Sequence, residues 1–114
     1  MELSVKFNKK SRNISVRETS LIGRGIGLMF KSRNAPNLLF SFNKDTNVKI
    51  HSLFVFFPFL ALWLDDKNEV IKLAVIQPFR VKLPTARSFR KIVEIPINKA
   101  NKEIIDFFVG KGKI

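Results

Sequence analysis

A run of twelve apolar residues, Leu53 to Leu64, broken in its middle by Pro58, constrains the fold of this chain more than any other feature. A membrane-spanning helix needs about 20 such residues, so the run is too short. Phe, Val and Trp favour strands, and a proline cannot donate to a sheet ladder. We therefore predict two strands that meet at Pro58 and are buried on both faces, since they lack polar alternation. The remaining alternative is a partly exposed aromatic patch that marks a binding site or a dimer interface.

The start of the chain predicts a β-hairpin. Leu3, Val5 and Phe7 alternate with polar residues, and Ile14 and Val16 resume the alternation after the polar stretch "NKKSRN".

A helical spacing of apolar residues follows over residues 19–29. Three glycines interrupt it, each at a cost on the order of 1 kcal/mol relative to alanine, so this helix should be short.

Further strands follow along the chain. "LLFSF" is predicted to be a strand that ends in a polar turn, "NKDTN". "VIKLAVIQP" is predicted to pair antiparallel with "FLALWL" across the turn "DDKNE", and "KIVEI" forms a strand before Pro96. From Asn98 an apolar helical face extends to Gly110, a suitable C-cap.

These elements predict a mainly β fold, either a small barrel-like or a sandwich β domain, with one short helix in the N-terminal half and one short C-terminal helix. At 114 residues the chain fits a single domain over residues 1–114. The absence of cysteine excludes disulfides and cysteine-based metal sites. The first residues lack the apolar segment of a secretory signal, which favours a cytoplasmic location.

The net charge of +12 attracts polyanions, so nucleic acid is a candidate partner. The densest basic stretch is "FRVKLPTARSFRK", in which basic residues on a strand face can contact phosphates. Phe79 alternates with the cations and is expected to point inward, which weakens base stacking. A solvated basic face without a ligand is the alternative. The candidate nucleic-acid residues are Arg80, Lys82, Arg87, Arg90 and Lys91.

An Arg-x-x-Gly-Leu-Met motif is followed by the strand "LLFSF", by Ile-His, by a proline and an acidic turn, and by "VEIP" near the end. In their order and spacing, these motifs resemble those of the family called domain of unknown function 192. The resemblance covers the chain from about Arg17 onwards. It implies a compact, mainly β fold with a short helix around Gly-Leu-Met, and it implies no known reaction. The matching motif residues are Arg24, Gly27, Leu28, Met29, His51, Pro58, Asp65 and Glu94.

The chain departs from the family pattern at three places. Leu60 stands where the family carries an aspartate, Phe56 stands where it carries a polar or basic residue, and Lys111 follows Gly110 where it has aspartate. If that aspartate serves an activity in the family, this chain should lack it. The stretch around Leu60 is therefore interpreted as core.

Two residues remain candidates for chemistry. His51 is the single histidine and would act as a general base only if a pocket held it; a structural role near a strand end is the alternative. Glu94 lies within an apolar strand, where it could form an ion pair with Arg24. Neither a phosphate-binding glycine loop nor a calcium loop is present.

The sequence thus favours a binding or structural module without a known reaction, and no cofactor or metal is expected. Polyanion binding through a basic face is the first alternative. An enzyme with a pocket near His51 is the second.

Overall fold

The structure, a computed structural model, describes residues 1–19, 34–46, 57–78, 86 and 88–112. Within these residues the chain forms seven strands and one helix. In chain order they are β1 (Glu2–Phe7), β2 (Lys10–Ser15), β3 (Arg17–Thr19), β4 (Leu38–Thr46), β5 (Phe59–Leu64), β6 (Val70–Ile76), β7 (Phe89–Pro96) and α1 (Lys102–Val109).

The strands form a five-stranded sheet in the order β3-β4-β7-β5-β6 and a separate hairpin of β1 and β2. β3 runs parallel to β4, and the other neighbours are antiparallel. Among the described residues, an isolated bridge joins Lys6 of the hairpin to Glu69, the residue before β6. The sheet is therefore not closed, so the barrel alternative is wrong, whereas the sandwich-like alternative fits the two sheets.

One face of the sheet, here called face one, packs against the hairpin and α1. Leu60, Leu62 and Leu64 project from β5 onto this face, because alternate residues of a strand share a side. Burying each leucine contributes roughly 1.5–3 kcal/mol, so this layer is a main source of stability. The buried members of its core are Leu3, Val5, Ile14, Val16, Leu39, Leu60, Leu62, Leu64, Val93, Ile95, Ile105 and Phe108.

The opposite face, here called face two, carries a second, aromatic core. Phe42 on β4 packs edge-on against Phe89 on β7, with 5.9 Å between ring centroids. Trp63, the only tryptophan, is 1% exposed. The buried members are Leu38, Phe40, Phe57, Phe59, Ala61, Trp63, Ile76, Phe89 and Ile92.

The burial predicted for the apolar run is confirmed over its described part. Phe57 and all six residues of β5 are at most 2% exposed, since β5 lies inside the sheet and has a core on each face. Pro58 precedes β5, outside the ladder, and its carbonyl accepts a hydrogen bond from the Ile97 amide at 3.1 Å. The exposed aromatic patch is therefore wrong for these residues; residues 51–56 lie outside the described ones.

Two boundaries differ from the sequence prediction. The polar turn at "NKDTN" is wrong for its first four residues, because β4 continues to Thr46 and pairs with Phe89 after an irregularity that begins at Ser41. The C-terminal helix begins at Lys102 rather than near Asn98, because residues 98–101 form a turn. Its end at Gly110 is confirmed.

The hairpins β1–β2 and β5–β6 and the strand "KIVEI" are also confirmed. Of the helix predicted over residues 19–29, Thr19 is instead the last residue of β3, and the rest lies outside the described residues. Residues 79–83 of the basic stretch also lie outside them. In the part of the chain that the structure describes, no helix has the length and apolar character needed to cross a membrane.

Candidate functional site

An open pocket of about 540 Å³ lies where three chain segments meet. The first segment joins β2 to β3, the second leads into β4, and the third leads into α1. The described residues that line it include four asparagines and one arginine, and none of them is acidic. The lining residues are Ser15, Val16, Arg17, Asn34, Ala35, Pro36, Asn37, Asn98, Ala100 and Asn101.

Main-chain and side-chain hydrogen bonds join the first two segments. The Arg17 amide donates to the Asn37 carbonyl at 2.8 Å, which continues the parallel pairing of β3 with β4. The side-chain amide of Asn37 donates to the Ser15 carbonyl at 3.1 Å. The two bonds fix the backbone of Arg17 at the wall of the pocket.

Asn101 joins the third segment to the second. Its side-chain amide donates to the side-chain oxygen of Asn37 at 3.0 Å and to the Pro96 carbonyl at 2.7 Å. Asn101 is the N-cap residue of α1 but makes no side-chain capping bond. Asn37 and Asn101 are only 9% and 7% exposed, so this bonded pair, here called the asparagine brace, forms a fixed inner wall.

Sequence reasoning missed the pocket. Asn37 and Asn101 look like ordinary loop residues in "RNAPN" and "INKAN", and the bond between them spans 64 residues. The available signal was that asparagines stand directly before β4 and α1, where their amides can satisfy backbone groups at the ends of elements. Nothing in the sequence indicates that the two would meet.

Glu94 lies on face two in the middle of β7, paired with Leu38 of β4 and Ala61 of β5. It is 6% exposed, and burial away from water raises the pKa of its carboxyl from 4.5 to about 8. The carboxyl is therefore mostly neutral at pH 7. Arg24, its proposed ion-pair partner, lies outside the described residues, so the pair stays a prediction.

Two of the candidate nucleic-acid residues are described, and neighbours on a strand point to opposite sides. The Arg90 Nε lies 3.6 Å from the Asp45 Oδ1, whereas the Lys91 ammonium donates to the side-chain oxygen of Asn68. Phe89, between the basic residues, is fully buried and cannot stack on a base. The other candidates, Arg80, Lys82 and Arg87, lie outside the described residues, so the basic track stays a prediction.

Asp65 and Leu60 have structural roles. The Asp65 Oδ1 accepts hydrogen bonds from the amides of Lys67 and Glu69, both at 2.9 Å, which organises the turn between β5 and β6 as predicted. Leu60, where the family carries an aspartate, is fully buried in the core of face one. The remaining motif residues, Arg24, Gly27, Leu28, Met29 and His51, lie outside the described residues, as does Phe56.

No three histidine, aspartate or glutamate side chains come together as metal ligands among the described residues. The arrangement that remains is a polar pocket with fixed walls and one cation. Such a pocket can bind a molecule through hydrogen bonds and charge.

Comparisons with known proteins agree with this fold. The family model DUF192 (Uncharacterized ACR, COG1430) matches residues 4–106. A UPF0127 protein from Pyrococcus horikoshii is 33% identical over 78 residues, which is 68% of this chain and 67% of that protein.

Two solved structures are also similar. A protein of unknown function from Novosphingobium aromaticivorans has a TM-score of 0.74 at 15% identity, covering 90% of this chain and 76% of that one. A protein from Sinorhizobium meliloti, named as a candidate transcription regulator, has a TM-score of 0.72 at 16% identity, covering 89% and 81%. At these identities the similarity shows the fold alone.

Proposed function

We propose that this chain, which belongs to the DUF192 family of uncharacterised proteins, is a single-domain, cytoplasmic binding module. Its proposed ligand site is the asparagine-lined pocket. The observation that carries the proposal is the pocket itself, about 540 Å³ in volume and walled by the asparagine brace. Ligand pockets typically measure about 300–1,000 Å³. The volume therefore fits a small organic molecule.

The chemistry of the lining favours binding over catalysis. Asn, Ser and Arg side chains supply hydrogen bonds, but none of these groups changes its protonation state near neutral pH. The described residues of the lining include neither histidine nor a carboxylate, the usual general acids and bases. A pocket of this composition is suited to recognise a ligand without transforming it.

The test is a fragment screen by amide-resolved NMR with a variant that occludes the pocket. Fragments that bind should shift the amide signals of Arg17, Asn34 and Asn37 and leave those of the β1–β2 turn unchanged. Ala100 lines the pocket and is exposed, so Ala100→Trp should fill it without disturbing the core. These shifts should disappear in that variant.

The matched control is Ser11→Trp, at an exposed position of the hairpin outside the pocket. It should retain every fragment-induced shift. The proposal fails if no fragment shifts the amide signals of the lining residues. It also fails if Ala100→Trp and Ser11→Trp show the same fragment-induced shifts.

A second candidate function is polyanion binding through the basic face. The net charge of +12 supports it, because such a charge raises the local concentration of nucleic acid. The name of the Sinorhizobium meliloti relative, a candidate transcription regulator, adds to that support. Binding would involve phosphate contacts and not base stacking.

Fluorescence anisotropy with labelled single- and double-stranded RNA and DNA tests this second function. The affinity should fall steeply as the salt concentration rises, because Lys and Arg side chains that bind phosphates release counterions from the nucleic acid. Replacing Arg80, Lys82 and Arg90 with Gln should weaken binding. The control is the triple change of Lys6, Lys10 and Arg12 to Gln on the hairpin, which removes the same charge. Absent or salt-insensitive binding rejects the function, and equal losses in both variants reject the proposed face.

A further inference from the structure

We propose that the asparagine-lined pocket takes a small organic anion, and that Arg17 binds its carboxylate or phosphate group. This inference rests on the proposed function, because it names the class of ligand for the same pocket.

Arg17 is the one charged residue among the lining residues that the structure describes. Its backbone is held by pairing with Leu38 and by the hydrogen bond to the Asn37 carbonyl, while the residue itself is exposed. Guanidinium presents five donors in a planar fork that matches a carboxylate or phosphate. Glu18 follows on the other side of β3 and is absent from the lining. Among the described lining residues there is no acid to neutralise Arg17.

Three acceptor atoms of the pocket wall are engaged within the protein. The Ser15 carbonyl accepts from Asn37, and the side-chain oxygen of Asn37 accepts from Asn101. The side-chain oxygen of Asn98 accepts from the Asn101 amide at 2.9 Å. A ligand rich in donors would find few free acceptors at these positions. A ligand that brings its own acceptors is the better match.

The surroundings also favour negative charge. Lys99 lies in the segment that leads into α1, directly beside the pocket residues Asn98 and Ala100. The overall charge of +12 draws anions towards the surface. The volume of about 540 Å³ far exceeds that of a bare phosphate ion, since a water in the liquid occupies about 30 Å³. The ligand should therefore be an organic molecule that carries the anionic group.

The experiment is an NMR titration with paired probes. Adenosine 5′-monophosphate is compared with adenosine, and citrate with glycerol, so that each pair isolates the negative charge. The anionic member should shift the amides of Arg17, Asn34 and Asn37 at lower concentration than its neutral partner. Inorganic phosphate alone should bind more weakly than the organic phosphate.

Arg17→Gln should weaken binding of the anionic probes by about 10- to 100-fold, the range expected for loss of a charged hydrogen bond. Arg12→Gln is the matched control, because Arg12 carries the same charge outside the pocket and pairs with an exposed glutamate, Glu103, at 3.5 Å. It should change the affinity by less than about twofold. Thermal unfolding of both variants checks that the fold is retained.

The outcomes separate the two proposals. If neutral and anionic probes shift the lining amides equally and Arg17→Gln has no effect, the pocket remains the proposed ligand site but the proposal of an anionic ligand is wrong. If no probe and no fragment shifts the lining amides, both the proposed ligand site and the proposed anionic ligand are wrong. Shifts lost equally in Arg17→Gln and Arg12→Gln would indicate general charge attraction and also reject the role of Arg17.

Discussion

The side-chain amide of Asn101 donates a hydrogen bond to the side-chain oxygen of Asn37 at 3.0 Å, between residues that are 64 positions apart in the chain. The bond links the segment before β4 to the start of α1. Because both residues are buried, it is protected from competition with water. It therefore fixes the distance between two walls of the pocket and couples the pocket to the stability of the fold.

Removing the brace should destabilise the protein. Asn101→Ala leaves the Asn37 side-chain oxygen and the Pro96 carbonyl without their donor, and each unsatisfied buried group costs about 1–3 kcal/mol. We expect the free energy of unfolding to fall by roughly 2–4 kcal/mol, measured by urea denaturation. Asn13→Ala, at an exposed hairpin position, should change it by less than about 0.5 kcal/mol. Similar losses in the two variants would contradict the role assigned to the brace.

Glu94 should make stability depend on pH. Burial raises the pKa of its carboxyl to about 8 in the folded protein, against 4.5 for a glutamate in water, so between these values the folded state holds a proton that the unfolded state has lost. The free energy of unfolding should therefore fall as pH rises from about 4.5 to about 8, by up to a few kcal/mol. Below pH 4.5 both states are protonated and the contribution of this residue is constant.

Glu94→Gln tests this dependence, because an amide does not titrate. Unfolding measured between pH 5 and pH 9 should show a flatter profile for the variant than for the wild type. Glu2→Gln, at an exposed position, should keep the wild-type slope. Parallel profiles for wild type and Glu94→Gln would show that the carboxyl is not buried as described.

Restoring the family's aspartate should disrupt the core. Leu60 is fully buried on face one between the sheet and the hairpin–helix layer, where an unpaired carboxyl would lose its hydration at a cost of several kcal/mol. Leu60→Asp should leave the protein largely unfolded by circular dichroism. Leu60→Met, which roughly conserves volume, should cost less than about 1.5 kcal/mol. A folded Leu60→Asp variant with stability close to that of Leu60→Met would contradict this account.

The turn between β1 and β2 should gain stability from glycine. Asn8 and Lys9 have φ angles of 50° and 65°, the left-handed conformation of a type I′ turn that glycine adopts without steric cost. Lys9→Gly should raise the free energy of unfolding by up to about 1 kcal/mol. Lys10→Gly, within β2, should instead lower it by roughly 0.5–1 kcal/mol. The two thermal midpoints should therefore move in opposite directions.

Local patterns in the sequence account for much of the fold. The run "FLALWL" predicted a strand buried on both faces, and Gly110 predicted the end of α1, because burial and capping are properties of neighbouring residues. Parallel pairing of β3 with β4 was not predicted, since three residues carry too little pattern. Asp45 was placed in a turn because its neighbours are polar, whereas β4 extends through it beside Arg90.

The candidate site was less predictable than the fold. Asn37 and Asn101 come together through the packing of whole segments, and an asparagine in a loop does not indicate which distant residue it will contact. Glu94 was identified from its apolar surroundings, because a carboxylate within a strand of Ile and Val is unusual in any fold. Its raised pKa follows from burial that the strand pattern had indicated.

The most direct test of the central claim, that the asparagine-lined pocket is the ligand site, is a crystal structure determined in the presence of adenosine 5′-monophosphate. We predict electron density in the pocket, with phosphate oxygens within hydrogen-bonding distance of the Arg17 guanidinium, and an empty pocket in crystals of Ala100→Trp grown in the same solution. Density confined to another surface, or a pocket that holds only water in the wild type, would contradict the claim.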